Sequence, residues 1–153
     1  MIPKEVLQDW EKLHWRRIIH HLKSEGIGLT RDNIDLIIER TTFRVMSKKY
    51  RNKKFENQPY CIWYDGHELR SCHPEIKDLS CLTCACPNYL TDRDGGGCKI
   101  NSKKGIMYKG EVWDCSDCNH GHTPKFARRY LETHLDELRT LAESLQEDLV
   151  ETT

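Results

Sequence analysis

Between Cys72 and His122 lies the feature that most restricts how this chain can fold: two Cys-x-x-Cys pairs, Cys81/Cys84 and Cys115/Cys118, set among further thiols and imidazoles. Cysteines three apart around a tight turn can aim both sulfurs at one point, which is half of a tetrahedral zinc site. Two such pairs ask for two centres. Cys86 stands two residues past Cys84, so an irregular backbone can turn it toward a different metal. The other donors are Cys72, His73, Cys98 and His122, with Cys61, His67 and His120 as outliers. Two four-coordinate sites are therefore expected, with the division of donors between them left open. Eight cysteines is also an even number, as in a disulfide-stapled secreted domain. That alternative fits less well. The opening Met1-Ile2-Pro3-Lys4-Glu5 has no basic segment followed by an apolar one, so a reducing cytoplasm is expected rather than export.

Zinc is the expected metal, on the ligand spacing and the imidazole donors. Thiolate-rich sites also hold iron–sulfur clusters, and Cys86-Pro87 echoes the end of a ferredoxin-type cysteine run whose remainder is missing, so iron–sulfur stands as the alternative. The motifs come in a particular order: Cys72-His73, then Cys-x2-Cys-x-Cys-Pro-x-Tyr from Cys81 to Tyr89, Gly-Gly beside Cys98, Asp114-Cys115-Ser116-x-Cys118, and His122-Thr123-Pro124. This order resembles the cysteine-rich small domain family over about residues 61–130. The resemblance implies a metal-binding, zinc-finger-like domain with Cys72, His73, Cys81, Cys84, Cys86, Cys98, Cys115, Cys118 and His122 as the matched donors. It also implies no particular reaction, although the domain occurs attached to a corrinoid-pathway methyltransferase. One position departs from the family. Members place a first cysteine a few residues before the Cys-His pair, whereas Cys61 precedes Cys72 by eleven positions, which leaves the role of Cys61 open.

A chain of 153 residues with only 37% hydrophobic residues is poorly supplied for a large core. Metal binding can provide folding free energy that a small irregular segment lacks. The expected fold is thus a small α+β one: an irregular, metal-stabilised cysteine-rich core with short β-hairpins, flanked by an N-terminal helical hairpin and a long C-terminal helix. The segments are residues 1–58, helical and ending in a basic run; 59–123, the Cys/His-rich module; and 124–153, an amphipathic helix packing on the N-terminal helices. No apolar run approaches the roughly eighteen residues of a membrane span, so no membrane partner is expected.

Residues 3–24 predict a helix with Pro3 in its first turn and Gly26-Ile27-Gly28 ending it. Its apolar side chains cover more than one stripe, so it should touch more than one neighbour. A second helix is expected over Arg31–Met46, capped by Thr30, with Ile34, Ile37, Ile38, Thr41 and Val45 on one side. His14, His20 and His21 lack cysteine company and read as surface or half-buried histidines. From Arg44 to Lys54 six basic residues occur without an acid. Lys48, Lys49, Arg51, Lys53 and Lys54 are candidate phosphate contacts, with Tyr50 and Phe55 free to stack on bases. The competing reading is a solvated helix end, where cations offset the macrodipole.

Pro59–Tyr64 has strand composition followed by an Asp65-Gly66 turn. A second hairpin should run from Ile106–Tyr108 through Lys109-Gly110 to Val112-Trp113 and lead into Cys115. The triple glycine before Cys98 lacks the Gly-Lys-Ser/Thr of a phosphate loop and reads as backbone freedom beside a ligand. Thr123 and Pro124 begin the C-terminal helix, whose Leu131, Leu135, Leu138, Ala142, Leu145 and Leu149 form a narrow seam. Docking on the N-terminal helices is favoured over a homodimeric coiled coil, because Leu141 widens the seam. Arg128 and Arg129 are poorly placed for the dipole, so a partner or the thiolates should explain them.

The functional reading is a non-enzymatic module whose metal-fixed surface binds an unidentified protein partner, or RNA. Its alternative is an iron–sulfur or thiolate accessory in redox or cofactor chemistry, with corrinoid metabolism as one setting. A zinc hydrolase would need Glu68, Glu75 or Asp114 to activate water, and no motif places one of them to do so.

Overall fold

The computed structural model describes residues 1–61, 64, 71–115 and 118–149. Among the described residues the principal elements are α1 (Lys4–Ser24), α2 (Ile34–Arg40), α3 (Phe43–Tyr50), β1 (Lys54–Phe55) paired antiparallel with β2 (Gln58–Pro59), β3 (Ile106–Tyr108) paired antiparallel with β4 (Val112–Asp114), and α4 (Pro124–Leu149). This is the expected α+β arrangement.

Helix α1 begins one residue later than expected, with Pro3 outside it in extended conformation. Its first amide, Lys4 N–H, donates to Asp94 Oδ1 at 3.0 Å, a cap supplied from across the molecule. The other end closes as foreseen at Gly26. Ile27 N–H donates to Leu22 O and Gly26 N–H to Lys23 O, the paired bonds of a Schellman ending.

The single helix expected over Arg31–Met46 is instead a 3-10 turn (Arg31–Asn33) and two helices separated at Thr41-Thr42. Thr30 makes no side-chain cap. Both threonine hydroxyls turn back onto helix carbonyls, Thr41 Oγ1 to Ile37 O (2.7 Å) and Thr42 Oγ1 to Glu39 O (2.9 Å), and Thr42 then adopts an extended φ,ψ of −70°, 153°. Such local bonds compete with helix continuation, and two β-branched residues in succession weaken it further.

The strand expected over residues 59–64 is also different. The hairpin lies earlier, and its turn is Glu56-Asn57 with φ of 51° and 63°. Arg16 of α1 holds that turn by donating to both Glu56 carboxylate oxygens at 2.8 and 3.2 Å. Tyr64 is helical. Ile62, Trp63, Asp65-Gly66, His67 and Glu68 lie outside the described residues, as do Ser116, Asp117 and residues 150–153.

One apolar core runs through the helices and into the module. Trp15, Ile18, Ile19 and Leu22 of α1 meet Ile34 and Ile37 of α2, Phe43 and Met46 of α3, and Leu131, Leu135, Leu138 and Leu145 of α4, while Leu79 and Leu82 enter from the cysteine-rich segment. Helix α4 therefore lays its leucine seam on the N-terminal helices. Thr123 Oγ1 caps it, accepting from Phe126 N–H at 3.2 Å. Arg128 is explained by an ion pair with Asp35 of α2 rather than by thiolates, and Tyr130 stacks on Trp15 with ring centroids 5.6 Å apart.

Candidate metal centre

The break between α2 and α3 exposes backbone groups that the Leu79–Cys84 segment uses. Phe43 N–H donates to Leu79 O (2.8 Å), Cys81 N–H to Thr41 O (2.9 Å), and Thr42 pairs with Ser80 in an antiparallel bridge. On its opposite side the same segment meets the 3-10 turn His120–His122: Ser80 N–H donates to His122 O (2.7 Å) and Thr83 Oγ1 to Gly121 O (2.6 Å). A side chain at Gly121 would be crowded, because a Cβ there would lie 3.2 Å from Thr83 O and 3.3 Å from Cys86 Sγ. From below, His14 of α1 donates Nε2–H to Leu82 O at 2.8 Å, inside the first Cys-x-x-Cys turn. A carbonyl only accepts, so the proton sits on Nε2. Burial pulls this imidazole's pKa down to about 4 and keeps it neutral. His21 is likewise structural: it is buried, with Nε2–H on Arg40 O and Nδ1 accepting from Tyr50 O–H, both at 2.7 Å.

This clamping gathers the first donors. Ligand atoms of Cys72, His73 and His122 all lie within 4.8 Å of one another, the one such trio among the described residues, and the two imidazole centroids are 4.3 Å apart. His73 Nδ1 lies 3.5 Å from a Glu75 carboxylate oxygen, the kind of neighbour that fixes a ligating imidazole's tautomer. Burial, then the thiols of Cys84, Cys61 and Cys72, hold the Cys81 thiol well above its ordinary range. Burial and the neighbouring Cys61, Cys72, Cys115 and Cys86 push Cys84 up to about 12. Cys84 as a residue is exposed, and the neighbouring thiols add to the effect of burial on its sulfur. Cys61, eleven positions away from Cys72 in sequence, thus sits among these thiols in space.

A second group forms at the ribbon. Cys86, Cys98, Cys115 and Cys118 line a cavity of about 20 Å³, together with Tyr89, Ile100, Ser102 and Trp113. Cys86 has turned away from Cys81, and Cys98 is brought in by its bridge to Tyr89 and by Lys99 N–H donating to Asn88 O at 2.8 Å. Tyr89 O–H donates to Trp113 O (2.6 Å) and Trp113 N–H to Gly95 O (2.6 Å), which ties the glycine loop to β4. Gly96 has φ 72°, and a Cβ on it would lie 2.6 Å from the Tyr89 ring, so glycine is required there, two residues before Cys98. Ser102 Oγ approaches Cys118 Sγ at 3.5 Å. Burial first, then Cys86, Cys118 and Cys98, push the Cys115 thiol up to about 11. None of the eight cysteines is in a disulfide.

A family model for the cysteine-rich small domain matches residues 52–146, well over half of the chain. The chain belongs to that family. No curated protein and no solved structure matches it. The match to the cysteine-rich small domain extends over most of α4. The domain's cysteine content and the Cys72, His73, His122 trio mark it as a candidate metal-binding domain.

The basic run of the N-terminal segment is less available than its composition implies. Lys48, Arg51, Lys53 and Lys54 are exposed, but Lys49 donates to Ser24 Oγ (2.8 Å) and pairs with Glu25 (3.6 Å), and Arg44 pairs with Glu39 (3.5 Å). Tyr50 and Phe55 are 4% and 2% exposed, with Tyr50 stacked on Tyr60 at 3.9 Å, so neither can stack on a base. Their burial follows from packing on α1 across a break that the helical periodicity conceals. Sequence reasoning also missed His14 as a support of the Cys-x-x-Cys turn, since a histidine that binds a carbonyl leaves no motif. Among the described residues, no helix is long and apolar enough to cross a membrane.

Proposed function

We propose that this domain is a zinc-stabilised interaction module with two metal centres and no reaction of its own. The observation that carries the reading is the enclosure of Cys86, Cys98, Cys115 and Cys118 around about 20 Å³. Four thiols facing one small space suit a single tetrahedral ion, and the imidazole donors nearby favour zinc over a cluster. Such an all-sulfur, four-coordinate centre is structural, because a catalytic zinc keeps a position open. Cys72, His73 and His122, with a thiol from the Cys81/Cys84 turn, would complete the other centre, and imidazole donors again favour zinc. Zinc held there supplies folding free energy to a segment whose strands are three residues long. The domain then offers a fixed surface to a macromolecular partner.

The test is metal and acid-labile sulfide content per chain after purification without oxygen. About two zinc and no sulfide is the expected result. Iron with matching sulfide, and visible absorption, would replace this reading with an iron–sulfur accessory. Less than about one metal of any kind per chain would end it.

A further inference from the structure

Resting on that reading, we infer that the partner is a single-stranded nucleic acid and that it binds the β3–β4 ribbon, not the basic run of α3. From Gly95 to Gly110 the sequence carries Lys99, Lys103, Lys104 and Lys109 and no carboxylate. All four lysines are exposed, and among the described residues none takes part in an ion pair. The Lys99 charge acts on Glu11, which leaves Lys103, Lys104 and Lys109 as the cations with no such partner among the described residues. Between them stand side chains that a folded protein normally covers: Ile106 is 60% exposed, Tyr108 48% and Ile100 54%. The Lys109 ammonium lies 5.2 Å from the Tyr108 ring centroid.

This is the reverse of the α3 run, where the cations are partly paired and the aromatics are buried. An exposed ring between ammonium groups matches a strand in which bases alternate with phosphates: Tyr108 offers a face for stacking and the lysines neutralise the backbone. A duplex has no free base face to offer. An acidic peptide would use the lysines but leave Ile106 and Tyr108 uncovered. The ribbon is also held to the four-thiol group. Ser102 touches Cys118 Sγ, and Gly105 passes so close under Trp113 that a Cβ would lie 2.1 Å from its ring.

The experiment is fluorescence anisotropy of the full zinc-loaded chain with a short labelled oligouridine and the matching oligothymidine, titrated at several salt concentrations. With three phosphates neutralised at about −0.7 each, log Kd against log salt should have a magnitude near 2, and K103Q/K104Q together should reduce it by about 1.4. Tyr108→Ala should weaken binding at least about fivefold without changing that slope. Substituting Lys48, Lys49, Lys53 and Lys54 by Gln should leave binding unchanged. These side chains are exposed or lie outside the core, so zinc content and near-ultraviolet circular dichroism of each variant should match the parent.

Absence of binding by the folded, zinc-loaded chain would overturn the inference while leaving the zinc reading intact. So would loss of binding on changing the α3 lysines instead of the ribbon, or equal binding of polyglutamate with no response to Tyr108→Ala, which would point to an acidic protein. Equal binding of both oligonucleotides supports the shared chemistry; preference for one tells RNA from DNA. Zinc content, measured on the same sample, tests the other reading separately.

Discussion

The helical layer and the cysteine-rich segment are held together by different forces. In the layer, Ile37 and Leu131 are fully buried, and apolar side chains from α1, α2, α3 and α4 share one core. Residues 71–115 contribute little to that core beyond Leu79 and Leu82, and their strands form a two-stranded ribbon with β3 exposed throughout. An isolated hairpin of this size is marginal in water. What the cysteine-rich segment has instead is thiols and imidazoles in reach of one another, and backbone bonds to a layer that folds by burial. The layer acts as a template on which donors are prearranged, and a bound ion would complete what burial cannot.

The largest effect should come from removing metal. Chelation of the loaded chain is expected to cost the ribbon on the order of 10 kcal/mol of apparent stability, seen as lost amide protection in β3 and β4, while helical ellipticity at 222 nm largely persists, as far-ultraviolet circular dichroism reads helix. Simultaneous loss of both signals would show a single cooperative unit and dissolve the contrast. Next in size, Leu131→Ala should cost about 2–5 kcal/mol in urea unfolding with metal content unchanged. Cys115→Ser should do the opposite, removing one metal per chain and sparing the helices.

The pH dependence sharpens the contrast further. His14 is held near a pKa of about 4 in the fold, while the unfolded chain has the ordinary value of about 6.5. The folded value is the lower, so this contribution is complete above about 6.5 and falls away as pH drops toward about 4, by on the order of 3 kcal/mol. His14→Gln should flatten that slope in unfolding measured across the interval. Thiols behave in the other sense. Cys81 and Cys115 have raised values in the metal-free fold, so the metal-free chain should lose stability as pH rises through the ordinary thiol range, whereas metal binding, which releases thiol protons, should strengthen with pH. The smallest effect belongs to Lys48→Ala and Lys54→Ala, within about 0.5 kcal/mol, since both are exposed and unpaired among the described residues.

Much of this was readable in the sequence because local chemistry dictated it. Gly26 ends α1, Thr123 and Pro124 start α4, and Lys109-Gly110 turns the second hairpin, each through bonds or dihedrals that a few neighbouring residues determine. The division at Thr41-Thr42 was not readable. Ile34, Ile37, Ile38 and Val45 keep helical spacing across it, and the competing partners, Leu79, Ser80 and Cys81, come from far along the chain. The same distance hid the sorting of donors. Spacing showed that Cys86 could leave Cys81 and Cys84, and the structure places it on a cavity it shares with Cys98, Cys115 and Cys118. The first hairpin was misplaced because its turn rests on an ion pair from Arg16, a residue forty positions earlier.

The opening residues are woven into the far end of the domain. Ile2 N–H donates to Glu111 O (2.8 Å), Gly95 N–H donates to Ile2 O (2.7 Å), and Lys4 N–H is capped by Asp94. Ile2 is synthesised before its partner Glu111, which appears only after more than a hundred further residues have been joined. Helix α1 can coil early, but its beginning must stay uncapped through that interval, and the closing contact is of the long-range kind that slows folding. The segment leading into α1 is therefore fastened late, by residues made long after it.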